Sequence, residues 1–189
     1  QRTIIFNTIQ LYRHDRLAFL KDSFLRAQQG GYHLGVKLVR GAYMEKERER
    51  AAEKGYLDPV QPDKEACDRD YDAALEFCIE HLERIALVAG THNEKSTLYL
   101  ARLMQQQEIA RNDPRIWFSQ LLGMSDNISF NMAAAGYNVA KYMPYGPVSK
   151  VLPYLIRRAT ENTSARGQTG RELGLIIAER KRRGEMTRH

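Results

Sequence analysis

Residues Ile85-Ala86-Leu87-Val88-Ala89-Gly90-Thr91-His92-Asn93 decide the fold, because a short apolar run passes directly into three polar residues and an amphipathic stretch follows. An apolar run of this length that ends in glycine reads as a buried strand rather than a helix. The same layout recurs at Ile4–Tyr12, Gly35–Gly41, Arg115–Leu121 and Asn138–Tyr142. Between these segments Leu17, Leu20, Phe24 and Leu25 recur at helical spacing, as do Tyr71, Leu75, Cys78, Ile79 and Leu82, then Leu98, Ala101, Leu103 and Met104. Gly30-Gly31 closes the first of these helices. Strands alternating with helices imply an α/β protein with a parallel sheet and right-handed crossovers. Two architectures satisfy that pattern, a doubly wound sheet and a (β/α) barrel. Five units cannot close an eight-stranded barrel, so in the barrel reading three strands lie outside this chain.

The composition is that of an ordinary globule, with 189 residues, 43 % hydrophobic and 28 % charged, which excludes disorder, collagen and coiled coil. No apolar run approaches the roughly 18 residues that span a bilayer, and Gln1-Arg2-Thr3 lacks the order of a signal peptide. The first residue is not Met and the chain opens on an apolar run, so the natural N-terminus is expected upstream. Cys67 and Cys78, eleven positions apart, suit neither a disulfide framework nor a zinc site and favour a reducing compartment. The net charge is +6, and from Arg157 onward nine Lys or Arg face four Asp or Glu. Such a patch meets nucleic acid, an anionic membrane or an acidic substrate group, and charge alone does not choose. The stretch Thr163–Gly170 reads as a polar loop, and Arg171–Arg183 as an amphipathic helix with Leu173, Ile176 and Ile177 on one face. The basic end Lys181-Arg182-Arg183 is favoured there by the helix dipole.

Polar residues gather at the carboxyl ends of the strands: Gln10, Tyr43, Thr91-His92-Asn93, Gln120 and Tyr142. That is the rim on which barrel enzymes build their sites, although a polar strand end also serves as a turn or helix cap. Asn93 in particular is placed to cap a helix starting near Lys95. Strand alternation puts Lys37 and Val39 on the face opposite Val36 and Leu38. A lysine buried there needs an acceptor or a negative partner, whereas an edge-strand lysine faces water. Glu161 follows Arg157 by four residues and Arg158 by three, spacing that allows a glutamate-held carboxylate clamp or a plain surface ion pair. Neither glycine-rich phosphate loop is present, and no HExxH or Cys cluster argues for a metal.

Taken in order, Val36-Lys37-Leu38-Val39-Arg40-Gly41-Ala42-Tyr43, Thr91-His92-Asn93, Gln120-Leu121-Leu122-Gly123-Met124, Lys141-Tyr142-Met143-Pro144-Tyr145-Gly146 and Tyr154 to Asn162 resemble the catalytic domain of the proline dehydrogenase family. The resemblance implies the carboxyl-terminal portion, about five βα units, of a (β/α)₈ TIM-type barrel with non-covalent FAD at its rim. It implies oxidation of L-proline to Δ¹-pyrroline-5-carboxylate, with hydride passing from proline C5 to flavin N5 and electrons going on to a quinone. By position, Gln10, Lys37, Val39, Gly41, Ala42, Tyr43, Lys64, Thr91, His92, Asn93 and Leu121 surround the FAD, with arginine replacing Lys37 in some relatives. The resemblance further implies that Arg157 and Arg158 bind the proline carboxylate, that Glu161 holds them, and that Tyr142 with Leu121 packs on the pyrrolidine ring.

The same resemblance divides the chain into a partial barrel, 1–162, and a basic helical tail, 163–189. Earlier strands of the family supply a lysine and an aspartate to the substrate site, so this chain alone is expected to be inactive without the N-terminal part of its barrel. A quinone acceptor makes peripheral membrane contact through Arg171–Arg183 an expectation, and no nucleic-acid partner is expected. The bacterial cytoplasm, with membrane association, and the matrix face of the mitochondrial inner membrane both suit that chemistry. Another flavin barrel resembling methylenetetrahydrofolate reductase, which has no need of the paired arginines, and a basic anion- or nucleic-acid-binding module are the alternatives.

Overall fold

The computed structural model describes residues 3–164 together with Gly174, Ile177, Ala178, Arg180 and Lys181, and for 157–164 the backbone alone. The strands are β1 (Asn7–Gln10), β2 (Leu34–Val39), β3 (Ile85–Gly90), β4 (Ile116–Leu121) and β5 (Val139–Tyr142). The helices are α1 (Arg16–Gln29), α2 (Met44–Lys54), α3 (Lys64–Glu80), α4 (Glu94–Gln106), α5 (Asp126–Ala134) and α6 (Val148–Ser164). Local chemistry sets several ends. The Asp63 carboxylate accepts from the Ala66 N–H at 2.6 Å to start α3, and Gly55, at φ 68°, ends α2.

The five strands lie in the order β1-β2-β3-β4-β5, and the registered pairs are parallel. A doubly wound sheet reverses its strand order at a switch point, and this sheet does not. Sequential neighbours are the arrangement of a barrel wall. Register aligns Ile9, Leu38, Ala89 and Phe118 in one row, and Thr8, Lys37, Val88 and Trp117 in the adjacent row, which faces the other way. The first row belongs to the core, packing with Leu20 and Phe24 of α1, Tyr71, Leu75 and Cys78 of α3, and Leu100 and Met104 of α4. Burying each large side chain of this kind contributes roughly 1.5–3 kcal/mol, so this face of the sheet dominates stability. Both cysteines are buried and free, Cys78 in the main core and Cys67 beside Tyr12 and Val60, and burial pushes their thiols up.

All five strand segments are found within a few residues of their expected positions. Helices α2 and α5 carry no apolar stripe long enough to announce them: Ala51 is the buried residue of α2, and Ile128, Ser129 and Met132 those of α5. Leu25 and Leu98, assigned to apolar faces, are exposed at 50 % and 55 %, and Leu100 takes the core position. Helix α6 continues through Thr163 and Ser164, which correct the expected loop start, and it accommodates Pro153. Of the tail Arg171–Arg183, the described Gly174, Ile177, Ala178, Arg180 and Lys181 are helical, while Leu173 and Ile176 lie outside the described residues. The chain divides into two compact units, Gln1–Lys141 and Tyr142–His189. Among the described residues no helix is long and apolar enough to cross a membrane.

Candidate active site

In the first unit the parallel strands β1 to β4 end at one rim, where Gln10, Tyr43, Thr91, His92 and Asn93 gather. Strand β2 lies between β1 and β3, which removes the edge-strand reading of Lys37. Its side chain is half-buried on the sheet face opposite the helices and passes beside Gly90. A Cβ on Gly90 would stand 3.4 Å from Lys37 Cε and 3.0 Å from Val39 Cγ1, so the bare glycine leaves room for both side chains. Gln10 ends β1 opposite Val39. Gly41 follows at φ 110°, where a Cβ would come within 2.0 Å of the Tyr12 ring and 3.1 Å of Gln10 Oε1. Both the left-handed backbone and the close approach require glycine here. Ala42 continues the turn, and the Tyr43 carbonyl accepts from the Glu47 N–H at 3.0 Å as α2 begins.

Behind this loop lies a feature that sequence spacing did not single out. Arg40 donates from Nε to Asp68 at 2.6 Å, from Nη1 to Thr91 Oγ1 at 2.8 Å and from Nη2 to Ser96 Oγ at 2.9 Å. Its guanidinium lies 4.3 Å from the centre of the buried Tyr71 ring, and Ser96 passes the network on to Asp72 at 2.6 Å. One side chain thus ties the loops after β2 and β3 to α3 and α4. Burial works against charge on Asp68, but hydrogen bonds from Lys64 and Arg40 outweigh it and hold the carboxyl below its ordinary range. Lys64, expected beside a cofactor, opens α3 as the exposed ion-pair partner of Asp68. The only sequence signal for this hub was a charged residue, Arg40, sharing strand parity with the buried Val36 and Leu38.

The tripeptide after β3 divides its duties. Thr91 Oγ1 accepts from Arg40 and from the Asn93 N–H at 3.1 Å. Asn93 is the cap of α4, its side chain accepting from the N–H groups of Lys95 and Ser96 at 2.9 and 3.3 Å. His92 Nδ1 shares a 2.9 Å hydrogen bond with Ser125 Oγ. Gln120, expected at the rim, instead faces the helices: it is buried, donates to the Thr91 carbonyl at 3.3 Å and accepts from Ser129 Oγ at 2.9 Å. Alternation along β4 puts Gln120 on the side of Phe118 and leaves Leu121 for the open face. Lys141 Nζ holds the following loop, donating to the Met124 carbonyl and Asp126 at 2.7 Å each and to the Leu121 carbonyl at 3.4 Å.

In the second unit, the Tyr142 and Tyr154 rings meet edge to face at 5.9 Å. Arg157, Arg158 and Glu161 belong to α6, and their side chains lie outside the described residues.

A sequentially ordered parallel βα sheet, with polar side chains gathered at the carboxyl rim and a cation on the face away from the helices, defines the class: an α/β protein built like part of a barrel enzyme. The proline dehydrogenase family model matches residues 1–171, and the chain belongs to that family. It is 44 % identical over 186 residues to mitochondrial proline dehydrogenase 1 of Homo sapiens, covering 97 % of this chain and 31 % of the relative. It is 43 % identical over 183 residues to hydroxyproline dehydrogenase of Xenopus laevis, covering 95 % of this chain and 39 % of the relative. The crystal structure of proline utilization A from Bdellovibrio bacteriovorus, inactivated by N-propargylglycine, superposes with a TM-score of 0.80 at 27 % identity, over 86 % of this chain and 17 % of that one. The chain therefore spans about a third of the length of the curated relatives it matches. Family membership displaces the methylenetetrahydrofolate reductase-like reading.

Proposed function

We propose that this chain forms five of the eight βα units of a flavin-dependent barrel that oxidises L-proline to Δ¹-pyrroline-5-carboxylate and delivers the electrons to a quinone. The observation that carries the proposal is the position of Lys37: a lysine on the open face of an interior strand, beside a glycine, in a chain of the proline dehydrogenase family. The residues fit FAD. Val39 and Leu121 would supply apolar contact to the bound group, and Lys37, Gln10 and His92 would supply polar groups that hold it. When bound, the flavin supplies the acceptor for the hydride that leaves proline C5.

The chain's own residues orient the substrate. Arg157 and Arg158 bind its carboxylate through planar guanidinium groups, and Glu161, one helical turn on, holds them in place. Tyr142 and Leu121 restrict the ring to one pose, so that little reorientation remains before reaction. Asn93, Thr91 and Lys64 act more indirectly than Lys37, since their side chains cap α4, brace Arg40 and pair with Asp68. The relatives named mitochondrial favour the mitochondrial placement over the bacterial cytoplasm. Peripheral membrane contact through the basic tail suits a quinone acceptor.

The test is the visible spectrum of the protein at its full natural length, before and after anaerobic addition of L-proline. Bleaching of an oxidised flavin band supports cofactor, substrate and reaction together, and a flavin that stays oxidised overturns the substrate. Similarity to a hydroxyproline dehydrogenase favours one second reading, oxidation of 4-hydroxyproline at the same site. Bleaching by hydroxyproline but not by proline selects it.

A further inference from the structure

Ser125 stands apart in the loop between β4 and α5. It is buried, yet its backbone takes the left-handed conformation, φ 50° and ψ 45°, which side-chain-bearing residues seldom adopt. A residue held in that region persists when its surroundings over-determine it, and here they do. Its carbonyl accepts from the Ser129 N–H at 3.1 Å, and the flanking Met124 carbonyl and Asp126 carboxylate are both taken by Lys141. Ser129 Oγ donates to Gln120, which donates in turn to the Thr91 carbonyl, one residue before His92. The loop is thus fixed from β5, β4 and β3 together, and its hydroxyl meets His92 Nδ1 at 2.9 Å.

We propose that Ser125 is a positioning residue that sets the orientation of the His92 ring at the rim, so that Nε2 is presented in a fixed direction to the cofactor. This rests on the flavin reading above. The hydroxyl donates to an unprotonated Nδ1 or accepts from a protonated one, and so holds the ring in either tautomer. Glycine takes the left-handed conformation without steric cost, so Ser125→Gly removes the hydroxyl while preserving the loop.

The experiment measures the flavin dissociation constant of the full-length protein, by fluorescence quenching on titrating FAD into flavin-free protein. The forms compared are the parent, Ser125→Gly, His92→Ala and the double variant. Loss of one hydrogen bond weakens binding about three- to tenfold in Ser125→Gly, with the melting temperature maintained. In the His92→Ala background the same substitution changes the constant no further, because Ser125 acts through that ring. An equal loss in both backgrounds, or none in either, overturns the proposal. The His92 ring signals in NMR spectra of flavin-free protein give an independent arm: Ser125→Gly shifts Nδ1, and an unaltered Nδ1 overturns the contact. A parent protein that takes up no flavin overturns the flavin reading and with it the role toward the cofactor, leaving the ring signals to decide the contact alone.

Discussion

Replacing Arg40 by methionine keeps much of the stem and removes the guanidinium on which four partners converge. The charged hydrogen bond to Asp68 is worth about 1.5–3 kcal/mol and the bonds to Thr91 and Ser96 about 0.5–1.5 each. The Tyr71 contact adds about 0.5–2 kcal/mol. These terms do not add fully, since they share one side chain and Asp68 keeps Lys64 as a partner. A loss of about 3 kcal/mol is therefore expected, which in a folding unit of about 150–250 residues lowers the melting temperature by roughly 6–12 °C. Arg40→Lys retains a charge for Asp68 but cannot reach Thr91 and Ser96 with the same fork, and should lose about half as much. Thermal unfolding followed by circular dichroism reads both variants. A drop of only about 2 °C for Arg40→Met, or equal drops for the two, would show that the hub contributes little and that the loops after β2 and β3 are held by something else.

Gly41→Ala should destabilise by more than about 2 kcal/mol, because φ 110° and the Tyr12 ring both oppose a Cβ, while Gly123→Ala, with no neighbour within 4 Å, costs about 1 kcal/mol; equal melting temperatures contradict this. Acid sensitivity follows from Asp68 and Asp113. Asp113 is held below the ordinary carboxylate range by its hydrogen bond from Arg115, and Asp68 by Lys64 and Arg40 against the opposing effect of burial. Groups with depressed folded-state values contribute stability above their unfolded pKa of about 3.9, and that stability is lost as pH falls through the folded values. The stability gap between the parent and Asp113→Asn should therefore be constant above about pH 5 and shrink below about pH 4, and a pH-independent gap would refute the assignment. The proposed function predicts that Arg158→Met raises the Michaelis constant for proline with flavin retained, and that Tyr142→Ser narrows the preference for proline over hydroxyproline. Steady-state kinetics on both substrates decide each.

Much of the fold was legible because its signals are local. The apolar-rich segments Gly35–Gly41, Ile85–Gly90 and Arg115–Leu121 marked β2 to β4, and Asn93 announced the start of α4 by its own residue type, whereas the caps Asp63 and Gly55 went unread. The face bearing Lys37 followed from alternation alone. Helices α2 and α5 were invisible for the converse reason: one buries little, and the other is nine residues long and buries only two large apolar side chains, Ile128 and Met132, too few to mark a periodic stripe. Gln120 looked like a rim residue because its position at a strand end says nothing of parity relative to the helices. The family resemblance alone singled out Lys64, whereas helical spacing had already placed Arg157 and Arg158 within reach of Glu161.

What the sequence by itself determined is the alternation of strand and helix, the rim at which polar residues collect, and the family to which the motifs belong. Tertiary structure decided the order of the strands, and so a barrel wall rather than a doubly wound sheet. It also decided the partners. Arg40 finds Asp68, Thr91 and Ser96 at separations of 28, 51 and 56 residues, and His92 finds Ser125 across 33. Backbone periodicity and capping act over a few residues, so they are written in local sequence. Which distant donor meets which acceptor depends on the register of parallel strands and the packing of the helices that join them, and that is settled only when the chain is folded.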